Sequence, residues 1–122
     1  MLFNHMDELE SQNLSDLLKA ASDPTRRVIL TLLAQHGPLR VTQIATHFDM
    51  SLNSVSKHIK VLERAGLVLR RTEWREHLIE IQLQRLKLID DWFEELRSIW
   101  SLRLEALDDL ITKETANDTD NN

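Results

Sequence analysis

The sequence predicts a mainly α-helical domain that carries one small β-hairpin and ends in a long helix. Three observations support this. Residues 51–66 place Leu52, Val55, Ile59 and Leu62 at helical spacing, with polar residues between them. Residues 67–83 hold two short strand-like runs, the second with His77, Ile79, Ile81 and Leu83 on one face and Leu78, Glu80 and Gln82 on the other. From about Leu86 to Lys113 apolar residues recur at near-heptad spacing, at about 1.5 Å rise per residue a helix of some 40 Å.

A chain of 122 residues has the size of one domain with a modest core. It contains no cysteine, which excludes disulfides, thiolate metal sites, cysteine nucleophiles and thiol switches. No Gly-rich phosphate loop is present, no run reaches the length of a membrane span, and the acidic start is unlike a signal peptide. A cytoplasmic protein with no membrane partner is expected. The net charge of −5 hides a strong asymmetry. Residues 1–23 hold five acids against one lysine, a net −4. Residues 24–87 hold eleven Lys/Arg against five acids, a net +6, and residues 88–122 hold three against ten, a net −7. A basic middle between acidic ends is a localised footprint for a polyanion.

Taken in order, Met1–Asn13 is polar and acidic, either a frayed start or an arm packing on a partner. Leu14, Leu17, Leu18 and Ala21 form a short helical stripe that ends at Ser22-Asp23-Pro24. Asp23 as cap and Pro24 at the first helical position then start a helix through Val28, Ile29, Leu32 and Leu33, which stops at Gly37-Pro38. Arg26 and Arg27 in its first turn read as solvated surface or partners of the acidic first helix, in preference to phosphate contacts. Val41, Ile44, Ala45 and Phe48 mark a short helix from Leu39 to Phe48, and Asp49-Met50 connects it to the next.

That next helix is capped by Ser51 and ended by Gly66 as a left-handed residue. On a wheel of about 100° per residue, Asn53, Lys57, Lys60 and Arg64 lie opposite the apolar stripe. Ser54 and Ser56 lie on its flanks. This outer face reads as free of bulky and acidic residues, which suits a phosphate backbone. Two helices joined by a turn of about three or four residues form a helix-turn-helix, whose second helix enters the major groove. The hairpin that follows makes a wing, with Arg70, Arg71 and Arg75 suited to phosphates or the minor groove. The last helix carries Trp92, Phe93, Leu96, Ile99, Trp100, Leu104 and Leu107, more apolar surface than so small a body covers alone, and so is expected to form a two-fold homodimer.

With these pieces named, the chain resembles the ArsR/SmtB family of winged helix-turn-helix regulators. The resemblance rests on Ser22-Asp23-Pro24-Thr25-Arg26-Arg27 followed by Ile29 and Leu32-Leu33, and on Ile44-Ala45. It rests most on Met50-Ser51, then Val55 through Val68. It covers roughly residues 10–110. It implies a homodimer through the first and last helices, adding Leu14, Leu17 and Leu18 to the interface, and an imperfect palindrome of double-stranded DNA as partner. Carried over by position, Ser54, Ser56 and His58 match the groove-facing polar positions, with Asn53, Lys57 and Lys60 beside them. His58 lies at the edge of the buried stripe, so a satisfied, partly buried histidine stands beside a base contact as its reading. The expected DNA-binding set is Ser51, Asn53, Ser54, Ser56, Lys57, His58, Lys60, Arg64, Arg70 and Arg75.

Three departures from the family pattern matter. The helix before the recognition helix has no cysteine for a thiolate sensor. The last helix has Asp90, Asp91, Glu94 and Glu95 but no histidine, so it reads as a solvated acidic face and no metal or cofactor is expected. The wing tip, Glu73-Trp74-Arg75-Glu76, lacks the usual glycine, so a turn longer than two residues is expected. Trp74 is placed under the wing or against a partner subunit, not on DNA. Five scattered histidines show no i, i+3 or i, i+4 pair. The expected organisation is a winged helix-turn-helix domain over 10–113 and a disordered tail over 114–122. Within the domain the helix-turn-helix falls at about 41–65, the wing at about 67–83 and the dimerisation helix at about 86–113. The expected function is a sequence-specific DNA-binding transcriptional regulator, a homodimeric repressor on an inverted-repeat operator; the competing reading is a winged-helix protein-interaction module whose activity is set by a protein partner. No nucleophile–base pair or substrate cleft suggests an enzyme.

Overall fold

The computed structural model describes residues 7–120. In chain order these form α1 (Glu8–Ala21), α2 (Pro24–His36), β1 (Leu39–Arg40), α3 (Val41–Ala45), α4 (Leu52–Arg64), β2 (Val68–Glu73), β3 (Glu76–Ile81) and α5 (Lys87–Asp120), with a single 3-10 turn at Leu83–Leu86. Local chemistry sets most of the boundaries. The Asp7 carboxylate accepts the Glu10 amide at 2.8 Å and opens α1. Asp23 accepts the Arg26 amide at 3.0 Å, with Pro24 at the first helical position of α2. Ser51 accepts the Ser54 amide at 3.1 Å and opens α4.

The end of α4 is a Schellman motif. The Leu67 amide donates to the Leu62 carbonyl and the Gly66 amide to the Glu63 carbonyl, each at 3.0 Å. Gly66 takes φ 78°, as the glycine at this position requires. The motif turns the chain so that Leu62 and Leu67 are both fully buried.

The core of residues 7–89 is built by one face of each element. Leu17 from α1, Ile29 and Leu33 from α2, Ile44 from α3, Val55, Ile59 and Leu62 from α4, Leu67, and Ile79 from β3 pack together. Each such side chain contributes about 1.5–3 kcal/mol relative to exposure. Of α4, Val55, Ile59 and Leu62 are buried, while Leu52 is half exposed at the first turn. The sheet has the order β1-β3-β2, all antiparallel, with Leu39 opposite Ile79 and Val68 opposite Ile81.

From Asp90 onward the chain is a separate unit, the remainder of α5. At about 1.5 Å per residue the helix is some 50 Å long. Phe93, Leu96, Trp100, Leu104, Leu107 and Ile111 are all exposed along it. Trp92 and Phe93 stack at 5.2 Å between centroids, and the Arg103 guanidinium lies 6.0 Å from the Trp100 ring.

Several expectations are corrected. α1 begins at Glu8, so part of the stretch read as a frayed start or arm is helix; Met1–Met6 lie outside the described residues. Leu39–Arg40 is a strand on the open edge of β3, and a helix was expected from Leu39. α3 closes at Ala45, so the connection to α4 spans residues 46–51 and is longer than a three- or four-residue turn. Leu83 has left the strand and is exposed in the 3-10 turn. α5 continues past Lys113 to Asp120, with no glycine or proline to end it, through residues expected to be tail; Asn121 and Asn122 of that tail lie outside the described residues. Leu17 is fully buried in its own core and so is not available as a dimer contact, because α1 turns this residue toward α2 and α4, whereas Leu14 and Leu18 are only half buried.

Candidate nucleic-acid interface

The amphipathicity of α4 decides what faces outward. With its stripe in the core, Asn53, Lys57, Lys60 and Arg64 are exposed and Ser54 and Ser56 half buried on the flanks. Asn53, Ser56, Lys60 and Arg64 line one open concavity of about 680 Å³, which Glu63 and Arg70 complete. The recognition helix and the first wing strand therefore share a polar trough that carries three cations and one acid. Lys57 projects from the same helix outside this lining set.

Glu63 is the residue that sequence reasoning missed. On the wheel it falls near the edge of the stripe, and the outer face had been read as free of acid. Its carboxylate accepts from the Arg70 guanidinium at 2.7 Å, a bridge from the recognition helix to the wing. Its side chain is 28% exposed and that of Arg70 36%, so the pair is partly shielded. A signal existed: seven residues separate the two, and a hairpin leaving a Schellman turn runs back past the last turn of the helix.

Three other expected DNA-binding residues, Ser51, Ser54 and His58, are engaged within the chain. The Ser51 hydroxyl both caps α4 and donates to the Ser54 hydroxyl at 2.9 Å, so these two serines form the start of the helix. His58 is half buried and faces α2. Arg26 donates to its Nδ1 at 3.2 Å, and an arginine donor leaves that nitrogen as the acceptor. The Asp23 carboxylate lies 3.8 Å from the same nitrogen. The Arg26 backbone amide holds the Asp23 carboxyl below its ordinary value of 3.8, with desolvation opposing it and the nearby Arg26 charge adding to the effect.

Arg26 and Arg27 serve the end of α1. Arg26 donates to the Ala20 carbonyl at 2.6 Å and to the Lys19 carbonyl at 3.2 Å, and Arg27 donates to the Ala21 carbonyl at 2.9 Å. They satisfy carbonyls that a helix C-terminus leaves unpaired, and their charge suits the negative end of the dipole. The partner is thus the backbone of α1, not its acidic side chains.

On the wing, Arg71 pairs with Glu73 and Glu80, each at 3.5 Å, and Arg40 of β1 pairs with Glu76 at 3.2 Å. Glu73 and Glu76 face each other in register, so the loop is only Trp74-Arg75, shorter than expected. The missing glycine is replaced by strain. Trp74 itself takes φ 61°, in the positive-φ region that favours glycine. Trp74 is 91% exposed, so it is not tucked under the wing.

The fold also brings together His36 and His47, whose rings stack at 6.3 Å, although they are distant in sequence. Among the described residues no three His, Cys, Asp or Glu side chains are grouped to hold a metal. Among the described residues no helix is long and apolar enough to cross a membrane either.

Comparison with known proteins bears on this arrangement. A helix-turn-helix domain family matches residues 21–71. The arsenical resistance operon repressor of Staphylococcus xylosus is 34% identical over 79 residues, 65% of this chain and 75% of that protein. The crystal structure of an ArsR family transcriptional regulator superposes with a TM-score of 0.69 at 32% identity, over 75% of this chain and 93% of that one. The solution structure of a homodimeric winged helix-turn-helix DNA-binding domain from Mycobacterium bovis superposes with a TM-score of 0.59 at 26% identity, over 84% and 94%. A basic trough on a buried-stripe helix, a winged hairpin beside it and these likenesses lead to one conclusion: the chain belongs to the ArsR/SmtB family of winged helix-turn-helix transcriptional regulators, and is a member without cysteine.

Proposed function

We propose that this DNA-binding regulator works as a homodimeric repressor that reads an inverted-repeat operator and needs no thiolate-bound metal to do so. The observation that supports the reading best is the trough in which Asn53, Ser56, Lys60 and Arg64 stand side by side on α4. Lys57, Lys60 and Arg64 supply phosphate contacts, and with them the salt-dependent part of the affinity. Asn53 and Ser56 reach base edges, and an asparagine can pair bidentately with adenine. Ser51, Ser54 and His58 act one step back: the serines set the start of the helix, and His58 sets its seat on α2. Arg70 is engaged by Glu63, which moderates its charge in the trough, and Arg75 at the wing tip suits the minor groove.

The exposed stripe of α5, from Phe93 to Ile111, supports pairing with a second copy. The homodimeric state of the Mycobacterium bovis relative supports it too. A two-fold dimer places its recognition helices about one turn of DNA apart. A dimer seated on a promoter blocks it, which fits the repressor named among the relatives.

Selection of binding sites from random DNA, with protein dialysed against chelator, tests the reading. An inverted repeat with half-sites about 10 base pairs apart is the expected product. Failure to enrich any sequence at low salt, with or without zinc, would refute it.

A further inference from the structure

The wing tip holds the most exposed large apolar side chain of the described residues, Trp74 at 91%, on a backbone that disfavours it. A bulky residue at positive φ is an outlier, and such strain persists where the surroundings enforce it. Here the enforcement is the register: Glu73 pairs with Glu76, which leaves two residues to turn the chain. Glycine at Trp74 would turn it without strain.

The charges around the tip are arranged unevenly. Both flanking acids are paired within the chain, Glu73 with Arg71 at 3.5 Å and Glu76 with Arg40 at 3.2 Å. Of the wing arginines, Arg70 is engaged by Glu63 and Arg71 by Glu73 and Glu80. Trp74 and Arg75 project beyond these pairs. The hairpin thus ends in a planar aromatic beside a cation, with its acids neutralised behind them.

We propose that Trp74 is a DNA-contacting residue: its indole enters the minor groove beside Arg75 and packs on the deoxyribose walls. This rests on the DNA-binding reading above. The minor groove of B-DNA is about 6 Å wide, which admits an indole edge-on but no broader group. Its walls are sugar C–H surfaces, a match for an aromatic face, while its negative potential suits the adjacent arginine. Because the indole carries no charge, the contact adds affinity without adding to counterion release.

Hydroxyl-radical footprinting on the selected operator, combined with a salt titration, tests this with the full-length chain. The wild-type protein should protect sugars of a minor-groove patch flanking each half-site. Trp74→Ala should lose that protection and bind roughly tenfold more weakly at an unchanged salt slope, and Trp74→Phe should retain most of both. Arg75→Ala should instead lower the slope by about one unit. Trp74→Gly guards against a folding artefact: it should unfold at the same temperature as wild type or higher and still lose the flanking protection. Wild-type affinity and an intact footprint in Trp74→Ala would overturn the proposal while leaving operator binding intact. Absence of any wild-type footprint would instead bring down the DNA-binding reading itself.

Discussion

Three positions show how single residues constrain this fold. Gly66 combines φ 78° with a Cβ position only 2.9 Å from the Arg85 Nε. The side chain of Arg85 can move, but the backbone conformation cannot relax without breaking the Schellman motif. Gly66→Ala should therefore destabilise by about 1–2 kcal/mol, measurable by urea denaturation. Trp74 is the converse case, and Trp74→Gly should stabilise by about 1 kcal/mol or slightly more. Asp23 gives a pH dependence with a definite sign. Its folded pKa is depressed, so its contribution is complete above the ordinary carboxylate value of 3.8 and is lost as pH falls through the lowered folded value. Asp23→Asn keeps a capping oxygen but takes up no proton. Melting temperatures followed from about pH 5 to pH 3 should therefore fall less steeply in that variant than in wild type. Gly66 and Asp23 were legible in the sequence because caps are local chemistry. Trp74 was not, because the register that strains it is set by pairing between two strands.

At the scale of elements, α4 was the most readable part of the chain, since a narrow apolar stripe leaves one way to seat a helix. Its outer face follows from the same geometry, and Lys60→Ala should weaken binding on all sequences and lower the salt slope by about one unit. Asn53→Ala should relax preference at one base pair, at a cost of about 1–3 kcal/mol. The relation of α4 to the wing was not readable. The Glu63–Arg70 bridge at 2.7 Å holds an acid inside an otherwise cationic trough. Glu63→Gln removes that acid and frees Arg70, so non-specific affinity should rise and the salt slope steepen by about one unit. Fluorescence anisotropy across a salt series measures both. β1 escaped notice for a related reason: two residues carry no periodicity, and Leu39–Arg40 becomes a strand only because β3 offers it an edge.

For the whole molecule, the decisive quantity is apolar surface that the described chain does not cover. Phe93, Leu96, Trp100, Leu104 and Leu107 are each at least 44% exposed on α5. A buried charge without a partner costs several kcal/mol, so Leu104→Glu should convert the proposed dimer to monomer in sedimentation and abolish tight operator binding. The helix–turn–helix order, the hairpin, the long last helix and the outward residues of α4 were all determined by the sequence alone. Each depends on periodicity, capping or turn chemistry, which act over a few neighbouring residues. The tertiary structure decided which side chains were already engaged: Leu17 in its own core, Arg26 and Arg27 on the carbonyls of α1, Arg26 on His58, Arg70 on Glu63. It also decided that Trp74 stands free at the tip of a two-residue turn. These outcomes depend on contacts between segments far apart in the chain, and a local pattern carries no record of what a side chain will meet once the segments pack.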